Sequence, residues 1–418
     1  MMLKIRRAMI LGLTGTALLA GLAGCGSRET QEAEVIYLSL WSDERSAPVL
    51  EAGIAEFNQA YADQVKIEYT ISYEGEDTCK EIVLADPENA ADIYTFADDQ
   101  FEELWRSGAL LENTYDAETV IAAVGGEASS AAKAVTRDGR VYAYPETAGN
   151  GYFLYYHKGY FTEEDVTSLD RILEVAAAND RKFTMDFSSG WYLYSFFQGA
   201  GLTLECAEDG SSNLCNWNAT DTGYTGVDVA EALLAIAGHE GFISLNDDGF
   251  LKGVQEGTVI AGINGPWNAQ YVEEAWGEDY GAVKLPTYTL AGDQVQMCSF
   301  SGFKLMGINA HTAHPEWCRK LVSYLTNAEN QLRRFEATGE CPVNQQAMQA
   351  PQVQQAPAVA ALLEQSVYST VQSVADPFWS ASSRFGITMA GGNQGDRDLQ
   401  LLLDEMVEQI IMPSEPAQ

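Results

Sequence analysis

Val35-Ile36-Tyr37-Leu38-Ser39-Leu40-Trp41 mixes β-branched, aromatic and leucine side chains with a single serine. A short apolar run of this kind suits a strand buried inside a parallel sheet. Residues 48–60 follow, with Leu50, Ile54 and Phe57 at helical spacing, and 65–71 return to strand character. Strand, amphipathic helix and strand make a β-α-β unit, whose crossover lays the two strands parallel. The rhythm continues through a strand at 92–96, a helix at 100–107 stopped by Gly108, and a strand at 141–144 ending at Pro145. A second series has strands at 152–157, 181–186 and 258–263, with helices at 169–178, 191–200 and 227–239. Helical periodicity returns at 315–326, 330–337 and 398–411. The expected fold is α/β and two-lobed, each lobe an open, mostly parallel sheet flanked by helices. No Gly/Ser-rich linker separates the lobes, so a hinge of several crossings is expected. The first lobe takes 35–146 plus about 296–343, and the second 147–295 plus about 344–412.

The N-terminus has a different character. Lys4, Arg6 and Arg7 precede an apolar stretch from Met9 to about Ala20, and Leu22-Ala23-Gly24-Cys25-Gly26-Ser27 closes it. A positive region, a short apolar region and small residues are the plan of a secretory signal, too short for a comfortable membrane span. The ending resembles the lipobox of bacterial lipoproteins, which implies cleavage after residue 24 and a lipid anchor on Cys25. Residues 25–34 then form a polar tether. The expected location is extracytoplasmic, held to the outer face of the cytoplasmic membrane.

Of 418 residues, 60 are acidic and 24 basic, a formal net charge of -36. That balance argues against nucleic acid and anionic lipid surfaces as partners. Beyond Cys25 the cysteines are Cys79, Cys206, Cys215, Cys298, Cys318 and Cys341, without a C-x-x-C pair, and there are four histidines. No metal site is expected from such a set. Cys206 and Cys215 flank Glu208-Asp209-Gly210, a turn signal, so they either close a hairpin as a disulfide or remain thiols like the rest. Asn246-Asp247-Asp248-Gly249 lacks the alternating carboxylates and closing glutamate of a calcium loop and reads as a turn.

Aromatic residues gather where strands hand over to helices, the positions at which open α/β sheets bind ligands. Phe96 ends a strand three residues before Asp99. Trp191 and Tyr192 follow Ser188-Ser189-Gly190, Trp267 follows Asn264-Gly265-Pro266, and Phe378-Trp379 follow Asp376-Pro377. A pyranose offers a C–H face to an aromatic ring and a rim of hydroxyls to carboxylates, amides and arginine. Asp43, Glu44, Arg45, Asp99, Asn150 and Arg384 occupy the same kind of loop position.

Several of these segments, taken in order, resemble maltose-binding proteins, receptors of ABC importers. They are Ala91-Asp92-Ile93-Tyr94-Thr95-Phe96-Ala97-Asp98-Asp99-Gln100-Phe101, Gly139-Arg140-Val141-Tyr142-Ala143-Tyr144-Pro145, Ile263-Asn264-Gly265-Pro266-Trp267, Ser301-Gly302-Phe303-Lys304-Leu305-Met306-Gly307-Ile308-Asn309 and Phe378-Trp379. The resemblance spans about residues 36–410. It implies Trp267 and Trp379 as stacking platforms, Trp191 and Tyr192 as an aromatic pair facing sugar, and Asp99 as a carboxylate for vicinal hydroxyls. Phe96 stands where a well-known maltose binder has tryptophan, Arg45 near a sugar-contacting lysine, and Arg384 beside an arginine position. Asn150 takes the role of a family carboxylate. The implied activity is capture of an oligosaccharide, most readily maltose or maltodextrin, by hinge closure. Delivery goes to membrane permease subunits, without cofactor or catalysis and as a monomer. The alternatives are a same-fold receptor for another oligosaccharide, a polyol or a peptide, a lipid-anchored glycoside hydrolase, and a structural surface protein. A hydrolase requires two carboxylates flanking the scissile bond.

Overall fold

The computed structural model describes residues 33–76, 78–207 and 211–413. The signal segment 1–24, Cys25, the tether up to residue 32 and the turn Glu208-Asp209-Gly210 lie outside the described residues. The elements that matter for the site are β1 (Glu34–Ser42), β2 (Val65–Tyr73), β3 (Ile93–Ala97), β4 (Ala143–Ala148), β5 (Phe153–His157), β6 (Lys182–Thr184), β7 (Phe242–Ile243), β8 (Val259–Asn264), β9 (Tyr280–Val283), β10 (Ser299–Ser301), β11 (Phe303–Ile308) and β12 (Ser369–Val371).

Two five-stranded sheets organise the molecule, in the orders β2-β1-β3-β11-β4 and β7-β6-β8-β5-β9. In the first, β2, β1 and β3 pair parallel and β11 is antiparallel to both neighbours. In the second, β7, β6 and β8 pair parallel and β5 is antiparallel to both neighbours. Four strands in each sheet therefore point one way and one is reversed. The reversed strand is the one by which the chain enters from the other sheet: β5 follows β4, and β11 follows β9 through β10. Each transfer inserts a strand from the opposite direction, which is why both sheets are mixed.

The first run alternates rather than being buried on both faces. Ile36, Leu38 and Leu40 are buried, whereas Tyr37 is 69% exposed. Helix α1 (Ala47–Ala60) covers one face, packing Leu50, Ile54 and Phe57 on those three strand residues. The opposite face near the N-terminus is uncovered. The second sheet has its own core, in which Leu154, Phe183 and Ile263 meet Leu193, Phe196 and Phe197 of the helix Gly190–Gly199. Between the sheets, β10 pairs parallel with β12.

Cys79, Cys215, Cys298, Cys318 and Cys341 are free thiols. Cys206 pairs in register with Asn213, and Cys215 with Leu204. The two cysteines are diagonal neighbours, about 7–8 Å apart between α-carbons, beyond ordinary disulfide reach. Asn246 begins a helix rather than a turn. Its side chain accepts from Gly249 N and caps Asp247–Gln255.

Candidate functional site

A cleft of about 650 Å³ lies between the sheets. Asp99, Asn150, Trp191, Tyr192, Trp267 and Trp379, all expected from the sequence, line it. So do Glu76, Ala97, Gln100, Asp186, Ser189, Asp247, Lys304 and Gln372. Size and mixed apolar and polar lining are those of a small-ligand site. An adjoining groove of about 500 Å³ shares Asp99 and Gln372 but has no aromatic ring in its wall.

The rings are held by local chemistry. Pro266 and Trp267 open a short 3-10 turn after β8. A β-carbon on Gly265 would sit 2.1 Å from the Trp267 ring, so glycine lets the indole fold back over the chain. Trp267 Nε1 donates to Asp247 Oδ1 at 3.1 Å, and Asn268 Nδ2 donates to the same oxygen at 2.8 Å. Trp191 stacks on Phe300, with centroids 5.3 Å apart. Its carbonyl accepts from Tyr152 OH at 2.7 Å. Trp379 lies in the first turn of helix Pro377–Ala390, braced edge-on by Phe378 at 4.8 Å. Each indole is part-exposed, so a face remains for a ligand.

The polar wall is unevenly satisfied. Glu76 Oε1, Asp99 Oδ1, Trp191 Nε1 and Gln372 Oε1 are buried atoms without a hydrogen-bond partner in the chain. Leaving such atoms unpaired costs roughly 1–3 kcal/mol each. One donor and three acceptors in one cleft match a ligand carrying both hydroxyl hydrogens and oxygens. Burial pushes the Asp99 carboxyl up to about 6, against the opposing pull of the Lys80 ammonium. Glu76, Asp99, Asp186 and Asp247 outnumber Lys304 among the charged lining groups, which disfavours anionic ligands.

Contacts cross from the first-sheet elements to the second around this cleft. Arg45 Nη1 donates to the Trp267 carbonyl at 3.0 Å, so Arg45 bridges the rim rather than lining the wall. Lys80 Nζ bonds Asp376 Oδ1 at 2.6 Å and lies 3.3 Å from Glu103 Oε2. Burial alone would lower the Lys80 ammonium's pKa, but the Asp376 bond and charge, with Glu103, hold it above the usual lysine range.

Two expected residues are elsewhere. Phe96 is fully buried, 6.0 Å from the Tyr94 ring and opposite Leu305 in the sheet. The strand runs one residue further than expected. With alternating faces, Ala97 reaches the cleft while Phe96 points into the core. Arg384 is five residues beyond Trp379 on one helix, about 140° around its axis, and bonds Gln409 of the helix Leu399–Ile410. The polar residues missed by sequence reasoning, apart from Ser189, are single charges or amides in ordinary surroundings. Lys304 carried the one available signal, a lysine inside an apolar strand.

The model of the bacterial extracellular solute-binding protein family matches residues 52–361. The chain belongs to that family. Among family relatives, the galactooligosaccharide-binding protein of Bacillus subtilis strain 168 is 26% identical over 373 residues, 83% of each chain. The maltodextrin-binding protein MdxE of the same organism is 27% identical over 250 residues, 55% of this chain and 57% of that protein. The structure of the maltodextrin-binding protein MalE1 from L. casei BL23, without ligand, superposes with a TM-score of 0.74 at 25% identity. It covers 90% of this chain and 98% of that one. This solute-binding protein thus shares the fold of the MalE1 structure over nearly its whole described length.

Proposed function

We propose that this solute-binding protein captures oligosaccharides in the cleft and delivers them to an ABC importer, acting as a binding protein and not as an enzyme. The observation that carries this is the meeting of Trp191, Trp267 and Trp379 with unpartnered buried donors and acceptors in one cleft. Indole faces suit the C–H face of a pyranose, and the polar atoms suit its hydroxyl rim. The relatives' names point to maltodextrin and galacto-oligosaccharide, and we put maltodextrin first. Two lobes, 35–146 with about 296–343 and 147–295 with about 344–412, close over the sugar. Binding drives closure because the sugar's contacts to both lobes exist together only in the closed form. Lipid on Cys25 keeps the receptor, a monomer, at the outer face of the membrane, beside its permease.

Thermal-shift screening of the chain from Ser27 tests this. Maltose to maltoheptaose, galacto-oligosaccharides and cello-oligosaccharides form the panel. A bound sugar raises the melting temperature by mass action. A shift confined to the α-glucans supports maltodextrin, one confined to galacto-oligosaccharides moves the specificity there, and no shift with any sugar defeats the proposal. Release of reducing ends from a bound sugar would replace the receptor with a hydrolase.

A further inference from the structure

Beneath the cleft, on the first-sheet side, sits a buried charge network of which the binding scheme above uses only the unpartnered oxygen of Glu76. Lys304 lies on β11 with its side chain 10% exposed. Its ammonium bonds Glu76 Oε2 at 2.6 Å and Glu340 Oε1. Arg334 pairs with Glu146 and approaches Glu340 Oε2 at 3.9 Å. Ser46 Oγ accepts from Arg334 and donates to Asp43 Oδ2 at 2.5 Å. Four carboxylates therefore surround two cations.

Only Glu76 and Lys304 of this network reach the cleft wall. Glu76 is fixed from behind, because its carbonyl accepts from Gln100 Nε2 at 2.6 Å and from Ala97 N at 3.3 Å. One carboxylate oxygen is committed to Lys304, while Oε1 is buried without a partner. An ammonium carries three N–H donors. Two are directed at Glu76 and Glu340, leaving one. An unused acceptor and an unused donor thus stand side by side on one rigid support.

We propose that Glu76 and Lys304 form a paired hydroxyl-reading subsite at the cleft floor, with Glu76 Oε1 accepting from one ligand hydroxyl and the third Lys304 N–H donating to a neighbouring oxygen. The subsite rests on the oligosaccharide assignment of the cleft and deepens it. A donor–acceptor pair of fixed spacing reads the orientation of two adjacent sugar oxygens, something a stacking ring cannot do. Glu340 and Arg334 act as positioning residues, holding the ammonium in place. The arrangement also explains a lysine in an apolar strand: its stem packs in the sheet while its head reaches the cleft.

The test uses the soluble chain from Ser27 and the tightest-binding sugar of the panel, with its monodeoxy analogues, by titration calorimetry. Glu76→Gln keeps shape and removes charge, and Lys304→Met removes the donors. Each variant is expected to weaken the parent sugar about 10- to 100-fold, the range for hydrogen bonds to charged groups. For at least one deoxy analogue, the one missing the hydroxyl read, the Glu76→Gln penalty is expected to vanish. A structural disturbance would instead lower all analogues alike. Equal affinity of Glu76→Gln and the parent chain, or a uniform loss across the analogues, overturns the subsite while the oligosaccharide assignment stands. A parent chain that binds no sugar overturns both. Should Lys304→Met fail to fold, Glu76→Gln decides alone.

Discussion

At the residue scale, exposure separates cleft-lining residues from core. Trp267 shows one face and is steered by Asp247, so Trp267→Ala is expected to weaken sugar binding about 10- to 100-fold, on the order of 1.5–3 kcal/mol of lost burial. Its unliganded melting temperature should stay close to the parent's. Titration calorimetry with a melting curve checks both. Phe96 belongs to the other class. Phe96→Ala is expected to cost about 3–5 kcal/mol in urea unfolding, the usual price of emptying a phenylalanine site. Arg384→Ala should leave sugar affinity unchanged, since that side chain faces the last helix. The aromatic identities at 191, 192, 267 and 379 were legible in the sequence because each begins a helical turn beyond a strand end. Phe96 was misplaced because the strand ends at Ala97, one residue beyond the expected end, so Ala97 rather than Phe96 takes the position at the cleft.

At the element scale, the helix Pro377–Ala390 presents Trp379 and is tied at its start to the helix Cys79–Ala85 by Lys80–Asp376. Lys80 has a side chain only 7% exposed, so the pair is partly shielded from solvent. Cutting it with Asp376→Asn should weaken sugar binding several-fold and enlarge the radius of gyration of the liganded protein slightly. A double-mutant cycle with Lys80→Met isolates the pair. Independent effects of the two changes would mean the contact does not support closure. The strand Val259–Asn264 and the turn after it hold the opposite wall. Gly265→Ala is expected to displace the Trp267 ring, lowering affinity and quenching any sugar-induced change in tryptophan fluorescence.

For the whole molecule, a buried acid sets a pH dependence. Burial pushes the Asp99 carboxyl up to about 6, above its unfolded value. A carboxyl with a raised folded pKa binds its proton more tightly when folded. Stability from this group is full below about 3.8 and falls as pH rises through about 6. Urea midpoints are expected to decline from about pH 4 to 7, and Asp99→Asn should flatten that slope. Asp165, held near 2 by hydrogen bonds from Thr162 and Arg171, works oppositely only in stronger acid.

The sequence by itself determined the α/β class, the strand–helix order and the ring-bearing turns, because these follow from local periodicity and from proline, glycine and aromatic placement. The expectation of a leader and of a lipid anchor on Cys25 rests on the sequence alone, because those positions lie outside the described residues. Tertiary structure decided which strands are reversed, how Cys206 and Cys215 lie, and which charges share the cleft. Glu76, Lys304 and Glu340 are far apart along the chain, and no local pattern states that they will meet. Their interaction exists only because two chain crossings bring β11 back between β3 and β4 and carry a lysine to the cleft floor.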